Sequence, residues 1–201
     1  PRRRILLPLA PEYIGYADVG LSDDLLVSRR AAIEELPDGF FKYRVRFEGL
    51  EAVPDVAALC VSRPTNPSGN VLGGDELARL DAIARRRGVP LVIDAAYGLP
   101  FPGIQFTDDA PFWNDNVILC LSLSKLGLPS TRTGIVIAAE PVIEAITAFN
   151  ATAALAPAAF IEDVLVAWIG VRWVLVGDDF RFGKARAGDI ATLRAHARNF
   201  S

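Results

Sequence analysis

Val117-Ile118-Leu119-Cys120-Leu121, running into Ser122-Leu123-Ser124-Lys125 and then Leu126-Gly127-Leu128-Pro129-Ser130-Thr131-Arg132-Thr133-Gly134, decides the fold. Five consecutive apolar residues read as a strand buried on both faces, the pattern of strands in parallel sheets. Two hydroxyls and a lysine then sit just past the strand end, with an arginine seven residues after the lysine. The chain has three lysines, Lys42, Lys125 and Lys184, against eighteen arginines. A lysine, unlike an arginine, forms a Schiff base once its surroundings lower its pKa. A solvated lysine at a strand end is the ordinary alternative.

Outward from that stretch, further runs fall into the same pattern. Ile5-Leu6-Leu7-Pro8-Leu9 reads as a short buried strand leading into the loop Pro11-Glu12-Tyr13-Ile14-Gly15-Tyr16. Leu25–Ser28, Val56–Ser62, Val89–Asp94 and Gly134–Ala139 read as strands, and Pro141–Phe149 as a helix. Asp75–Arg87 carries Leu77, Leu80, Ile83 and Ala84 at helical spacing, with Gly88 as the stop. Leu36–Leu50 reads as irregular, and Arg63–Asn70 as turn-rich. Apolar strands alternating with helices indicate an α/β fold with a mostly parallel sheet and flanking helices. Ligands of such sheets lie beyond the carboxyl ends of the strands, where Asn66, Asp94 and Lys125 all fall.

Composition narrows the chemistry. With 201 residues, 51% of them hydrophobic and 22% charged, the chain is globular and holds one large domain, or one domain and part of another. A net charge of −3 gives no reason to expect nucleic acid. Arg2-Arg3-Arg4 and Arg85-Arg86-Arg87 read as solvated faces. Cys60 and Cys120 end apolar runs and read as core thiols of a reducing, cytoplasmic setting. His196 is the only histidine, which argues against His-rich metal sites and Ser-His-Asp hydrolysis. No apolar run reaches the roughly 18 residues of a membrane span, and the longest, Val164–Val176, is cut by Arg172.

The rim residues suit one cofactor. Pyridoxal phosphate needs a lysine, an anion at its ring nitrogen, a donor at its phenolic oxygen, and a cationic, hydroxyl-lined phosphate site. Asp94 suits the ring nitrogen, and Asn66 and Tyr97 suit the phenolic oxygen. Lys125 suits the cofactor carbonyl and the proton shuttle, and Ser122, Ser124 and Arg132 suit the phosphate. Each has an alternative. Asp94 has a lesser reading as a helix N-cap, Asn66-Pro67-Ser68-Gly69 as a tight turn, Tyr97 as a core aromatic, and Arg132 as a surface ion-pair partner. Tyr13 and Tyr16 either approach the site or pack as loop aromatics on the sheet.

Residues 1–157 resemble class I pyridoxal-phosphate aminotransferases, through LLPLAPEYIGYADVGL, CVSRPTNPSGNVL, PLVIDAAYGLPFPGI and LCLSLSKLGLPSTRTGI. The resemblance implies the central part of a fold-type I large domain, with pyridoxal 5′-phosphate as cofactor. It makes Lys125 the aldimine lysine and Asp94 the pyridinium partner. Asn66 and Tyr97 become the phenolic-oxygen partners, and Ser122, Ser124 and Arg132 the phosphate contacts. It implies amino-group transfer between valine, or a similar amino acid, and pyruvate. It also implies amino-acid and 2-oxo-acid substrates, no nucleic acid or membrane partner, and a homodimer in the intact family. The family's glycine/serine phosphate cup, its ring-stacking aromatic and its substrate-gripping arginine belong to portions this match does not include.

Residues 158–201 resemble the nucleotidyltransferase domain of bacterial riboflavin kinase/FAD synthetase. The carriers are Phe160-Ile161-Glu162-Asp163-Val164-Leu165, the run Val174-Leu175-Val176-Gly177-Asp178-Asp179-Phe180-Arg181-Phe182-Gly183, and Arg186-Ala187-Gly188-Asp189. That family's HxGH nucleotide motif is missing from the stretch. The expected organisation is an aminotransferase part over 1–157 and a C-terminal α/β fragment over 158–201, joined near Ala156–Phe160. A chain opening on Pro1 is expected to begin inside a longer frame.

Overall fold

A computed structural model describes residues 3–18, 22, 24–98, 110–126, 134–153, 158, 161–162, 166–167 and 187–196. They fall into two compact units, Pro1–Ala139 and Glu140–Ser201.

The first unit is built on a six-stranded sheet. Its strands are β1 (Arg4–Ala10), β2 (Leu26–Arg30), β5 (Val56–Ser62), β6 (Leu91–Asp94), β7 (Val117–Ser122) and β8 (Gly134–Ile137), in the order β2-β1-β5-β6-β7-β8. Every neighbouring pair is parallel except β7 and β8, which run antiparallel with Leu121 opposite Ile135. The sheet is therefore mostly parallel, as the apolar runs imply.

Helix α1 (Gly74–Arg86) crosses one face. Leu77, Leu80, Ile83 and Ala84, one stripe at helical spacing, are buried together with Leu59, Val61, Leu91, Ile93, Leu119 and Leu121. The Glu76 carboxylate accepts from Gly73 N at 3.3 Å and from Val45 N at 3.1 Å, which closes the helix start. Gly88, at φ +64°, takes the left-handed turn that ends the helix. The alternate residues of β5–β7, Cys60, Val92, Ile118 and Cys120, are only half buried. On β6 and β7 the second face is thus only half buried among the described residues, whereas β1 is buried on both faces from Leu6 to Leu9.

Two expectations need correction. Residues 36–50 are not simply irregular: β3 (Ala32–Glu35) and β4 (Phe41–Arg44) pair antiparallel, Ile33 opposite Tyr43 and Glu34 opposite Lys42. The Pro37-Asp38-Gly39 punctuation is the hairpin's turn, with Asp38 at φ 61° and Gly39 at φ 77°, closed by Leu36 N donating to Phe40 O at 2.8 Å. The two strands are four residues each, too short for their alternation to stand out.

The second concerns Arg87 alone: Arg85 and Arg86 are exposed, as a solvated face requires, but Arg87 is half buried. Arg85 Nε donates to the buried Asp81 at 3.0 Å, Arg86 pairs with Glu51, and Arg87 donates to the carbonyls of Glu51 and Val53. Asp81 also accepts from Asn114 and Asn116, fastening the approach to β7 onto α1.

The second unit shows α2 (Glu140–Ala153), longer than its expected span, and the short α3 (Ile190–Ala195). Asp189 caps α3, its Oδ1 accepting from Thr192 N at 2.8 Å. The run Val174–Gly183, which carries the second resemblance, lies outside the described residues. Among the described residues no helix is long and apolar enough to cross a membrane.

The packing argument predicts unequal costs for two apolar truncations. Leu80 is 0% exposed and Ile14 is 82% exposed. Leu80→Ala should cost about 2–5 kcal/mol in urea unfolding, and Ile14→Ala less than about 0.5 kcal/mol.

Candidate active site

The site begins with strand register. Ser62 pairs with Asp94, and Asp94 with Cys120, so β5, β6 and β7 end side by side along one edge. The segments leaving that edge carry Asn66, Tyr97 and Lys125. Tyr13, Ser62, Asn66, Asp94, Tyr97 and Lys125 line one pocket of about 130 Å³ at this edge.

Each wall has a local cause. After β6, Ala95 N donates to Cys120 O at 2.8 Å and Gly98 N to Ala95 O at 2.9 Å, folding residues 95–98 into a turn that carries Tyr97. A Cβ on Gly98 would stand 2.3 Å from Arg63 O, so only glycine lets this turn lie against the loop after β5. That loop is closed by Gly69 N donating to Thr65 O at 2.7 Å and by Thr65 Oγ1 donating to Ser62 O at 3.2 Å. Asn66 therefore opens a tight turn and lines the pocket at once. Arg63 is buried below, its Nε donating to Leu72 O at 2.8 Å.

Asp94 is not a helix N-cap, since the described residues after it, 95–98, form a turn. Its Oδ1 accepts from Ala96 N at 3.0 Å, and its Oδ2 accepts from the Tyr16 hydroxyl at 2.8 Å. Lys125 stands in the short turn after β7, Leu123–Leu126, and is exposed. Its Nζ lies 4.9 Å from the centre of the Tyr97 ring, within cation–π reach. Ser122 ends β7 and Ser124 precedes Lys125, both half buried. Arg132 lies outside the described residues.

Sequence reading left Tyr13 and Tyr16 between two roles; both approach the pocket. Tyr16 Oη lies 2.8 Å from Ser62 Oγ as well as from Asp94. Burial pushes the Tyr16 phenol far up, with the charges of Cys60 and Asp94 adding to it. The phenol stays protonated and gives its one proton to Asp94, so Ser62 Oγ must donate to Tyr16. Tyr13 supplies an aromatic wall of the pocket.

Glu12 and Ser62 were not singled out from the sequence. Glu12 Oε1 accepts from Ser62 N at 3.0 Å and Oε2 from Tyr13 N at 3.2 Å. The missing signal was sheet order: only once β1 lies beside β5 does the loop after β1 reach this edge. Beneath it, burial raises the Cys60 thiol to about 12, helped by Glu12 and Asp94, and burial with Asp94 raises Cys120 to about 11. Both are neutral, unreactive thiols near neutral pH.

The chain also resembles known proteins in sequence and in fold. The chain is 59% identical over 155 residues to the valine–pyruvate aminotransferase of Escherichia coli (strain K12), covering 77% of this chain and 37% of that protein. The crystal structure of valine–pyruvate aminotransferase from Salmonella typhimurium LT2 superposes with a TM-score of 0.68 at 56% identity, over 74% of this chain and 37% of that one. N-succinyldiaminopimelate aminotransferase from Mycobacterium tuberculosis shares the fold, with a TM-score of 0.58 at 22% identity over 74% of this chain and 39% of that one.

The first unit thus has the fold of part of an aminotransferase large domain, and its similarity is to valine–pyruvate aminotransferases in particular. The chain spans little more than a third of those relatives' length. Residues 141–201 match the family model described as FAD synthetase, so the second resemblance read from the sequence also holds.

One titration at this edge has a definite sign. Burial raises the Glu12 carboxyl above its usual 4.5, outweighing hydrogen bonds from Ser62 and Tyr13, and the charge of Asp94 adds to the rise. The folded chain then holds this proton more tightly than the unfolded chain. The group's contribution is fully present below about pH 4.5 and declines as pH rises through the raised folded value. Glu12→Gln should flatten that decline in urea unfolding across a pH series. A variant as pH-sensitive as the wild type in this window would contradict it.

Proposed function

We propose that the pocket at the carboxyl edge of β5–β7 is a pyridoxal-phosphate site, part of an aminotransferase moving an amino group between valine, or a similar amino acid, and pyruvate. The observation that carries this reading is the meeting of an ammonium, a carboxylate, an amide and a phenol around about 130 Å³ at one sheet edge.

The residues fit the group. When bound, pyridoxal phosphate supplies an aldehyde for amines and a protonated ring that draws electrons from the substrate's Cα. Asp94 is the anion for the ring nitrogen; two hydrogen bonds already fix its orientation. Asn66 and Tyr97 are the donors for the phenolic oxygen. The Tyr13 ring walls the pocket as a stacking face. Ser122 and Ser124 offer hydroxyls for the phosphate, and Arg132 is proposed as its cation. With the cofactor bound, Lys125 Nζ would take the proton from the substrate's Cα and deliver it to the former aldehyde carbon, the general-base and general-acid role. Its cation–π contact with Tyr97 holds the flexible side chain over the pocket before any ligand arrives.

Amino-acid and 2-oxo-acid substrates, a role in amino-acid biosynthesis, homodimeric assembly and a cytoplasmic setting belong to this proposal for the whole protein. The two free cysteines suit a reducing compartment. The second reading concerns residues 158–201, proposed as a segment of a flavin nucleotidyltransferase joined to the aminotransferase part near Ala156–Phe160. The match to the FAD synthetase family supports it. Without an HxGH motif in the matched stretch, no adenylyl transfer is proposed for these residues.

Incubation with pyridoxal phosphate, reduction with borohydride and peptide mapping test the first reading. A stable adduct on Lys125 is expected, absent in Lys125→Arg, which keeps the charge but cannot form it. Asp94→Ala should weaken cofactor affinity about ten- to a hundredfold, the loss of a hydrogen bond to a charged group. Labelling spread over Lys42 and Lys184 instead would overturn the assignment.

A further inference from the structure

The loop between β1 and the pocket is held to β5 through one residue, Ser62. The Ser62 amide donates to Glu12 Oε1 at 3.0 Å, and its hydroxyl meets Tyr16 Oη at 2.8 Å. Its carbonyl accepts from Thr65 Oγ1 at 3.2 Å. Ser62 is 4% exposed, so an amide here without an acceptor would be left buried and unsatisfied. Tyr13, which lines the pocket, stands between the two ties, and Tyr16 forms the second of them. Tyr13 and Tyr16 meet edge to face at 5.6 Å, and a Cβ on Gly15 would lie 2.4 Å from the Tyr13 ring. The loop is packed against itself, and Glu12 is where it is pinned.

We propose that Glu12 is a positioning residue of the site: by accepting from Ser62 N it sets the 11–16 loop so that Tyr13 walls the pocket and Tyr16 reaches Asp94. The proposal deepens the cofactor reading and rests on it for its functional consequence. Glu12 acts through the loop, not on the ligand. A carboxylate kept where burial opposes its charge, close enough for Asp94 to oppose it further, costs the fold stability. Its length explains what it does there: glutamate spans from the loop to the Ser62 amide. One anchor then serves two ends, because the Tyr16 proton that goes to Asp94 is in place only while the loop is.

Three variants separate acceptor, charge and reach. Glu12→Gln keeps the reach and one acceptor oxygen, Glu12→Asp keeps the charge and shortens the reach, and Glu12→Ala removes both. Without cofactor, amide hydrogen exchange should show Ser62 and residues 12–18 losing protection roughly tenfold in the Ala and Asp variants, the effect of one lost hydrogen bond. Amides of α1 and β6 should keep theirs, and Gln should restore Ser62 to within about threefold of wild type. Titration with pyridoxal phosphate should show affinity falling about tenfold in Ala and Asp, with rescue by Gln.

Unchanged exchange at Ser62 in folded Asp or Ala variants overturns the proposal, as does failure of Gln to restore it. Should Ala not fold, Asp decides. If the wild type takes no cofactor on Lys125, the functional reading fails while the exchange result still decides the Glu12 anchor.

Discussion

The parallel pairing of β5, β6 and β7 is the constraint on which the site depends. Hydrogen-bond register sets Ser62 beside Asp94 and Asp94 beside Cys120. A shift by one residue would turn Asp94 from the half-buried face into the dry face under α1. The apolar residues that α1 covers therefore fix where the polar ones emerge. Leu91 and Ile93 are buried, so Val92 and Asp94 face the other way. The core and the pocket are two consequences of one alternation.

Around that edge the fold retains polar groups at a cost. The Tyr16 phenol, the Glu12 carboxyl and the Cys60 and Cys120 thiols are all pushed toward their neutral forms by burial. Asp94 meets only donors from Tyr16 and Ala96. With Glu12 close enough to add repulsion, the edge favours a cation above it. Lys125 on the Tyr97 face is one such cation, and a protonated ring is another. The buried hydrogen bonds run in one direction, from Ser62 to Tyr16 to Asp94, because only Asp94 lacks a proton to give.

Most of the architecture was legible because apolar runs mark buried strands directly. β5, β7 and α1 carry their patterns over six or more residues, and their bounds fell within a residue or two of expectation. The β3–β4 hairpin was not legible, because four-residue strands with Ile33, Phe41 and Tyr43 among charges carry little periodicity. Asp94, Asn66 and Lys125 were legible as strand-end residues, since a polar residue ending an apolar run needs a reason. Glu12 was not: its partner lies 50 residues away, and only the sheet order brings β1 beside β5. Arg87 was misleading for the same reason, a basic run whose partners are backbone carbonyls of a distant turn.

The chain carries likenesses to two families, one over 155 residues and one over residues 141–201. What joins the account together is the edge of the first unit. A crystal structure of the chain grown with pyridoxal phosphate is its most direct test. The account predicts the ring nitrogen about 3 Å from an Asp94 carboxylate oxygen, with Tyr13 on one ring face and Lys125 at the aldehyde carbon. A cofactor seated away from β5–β7, or seated there with Asp94 turned away from its ring, would contradict it.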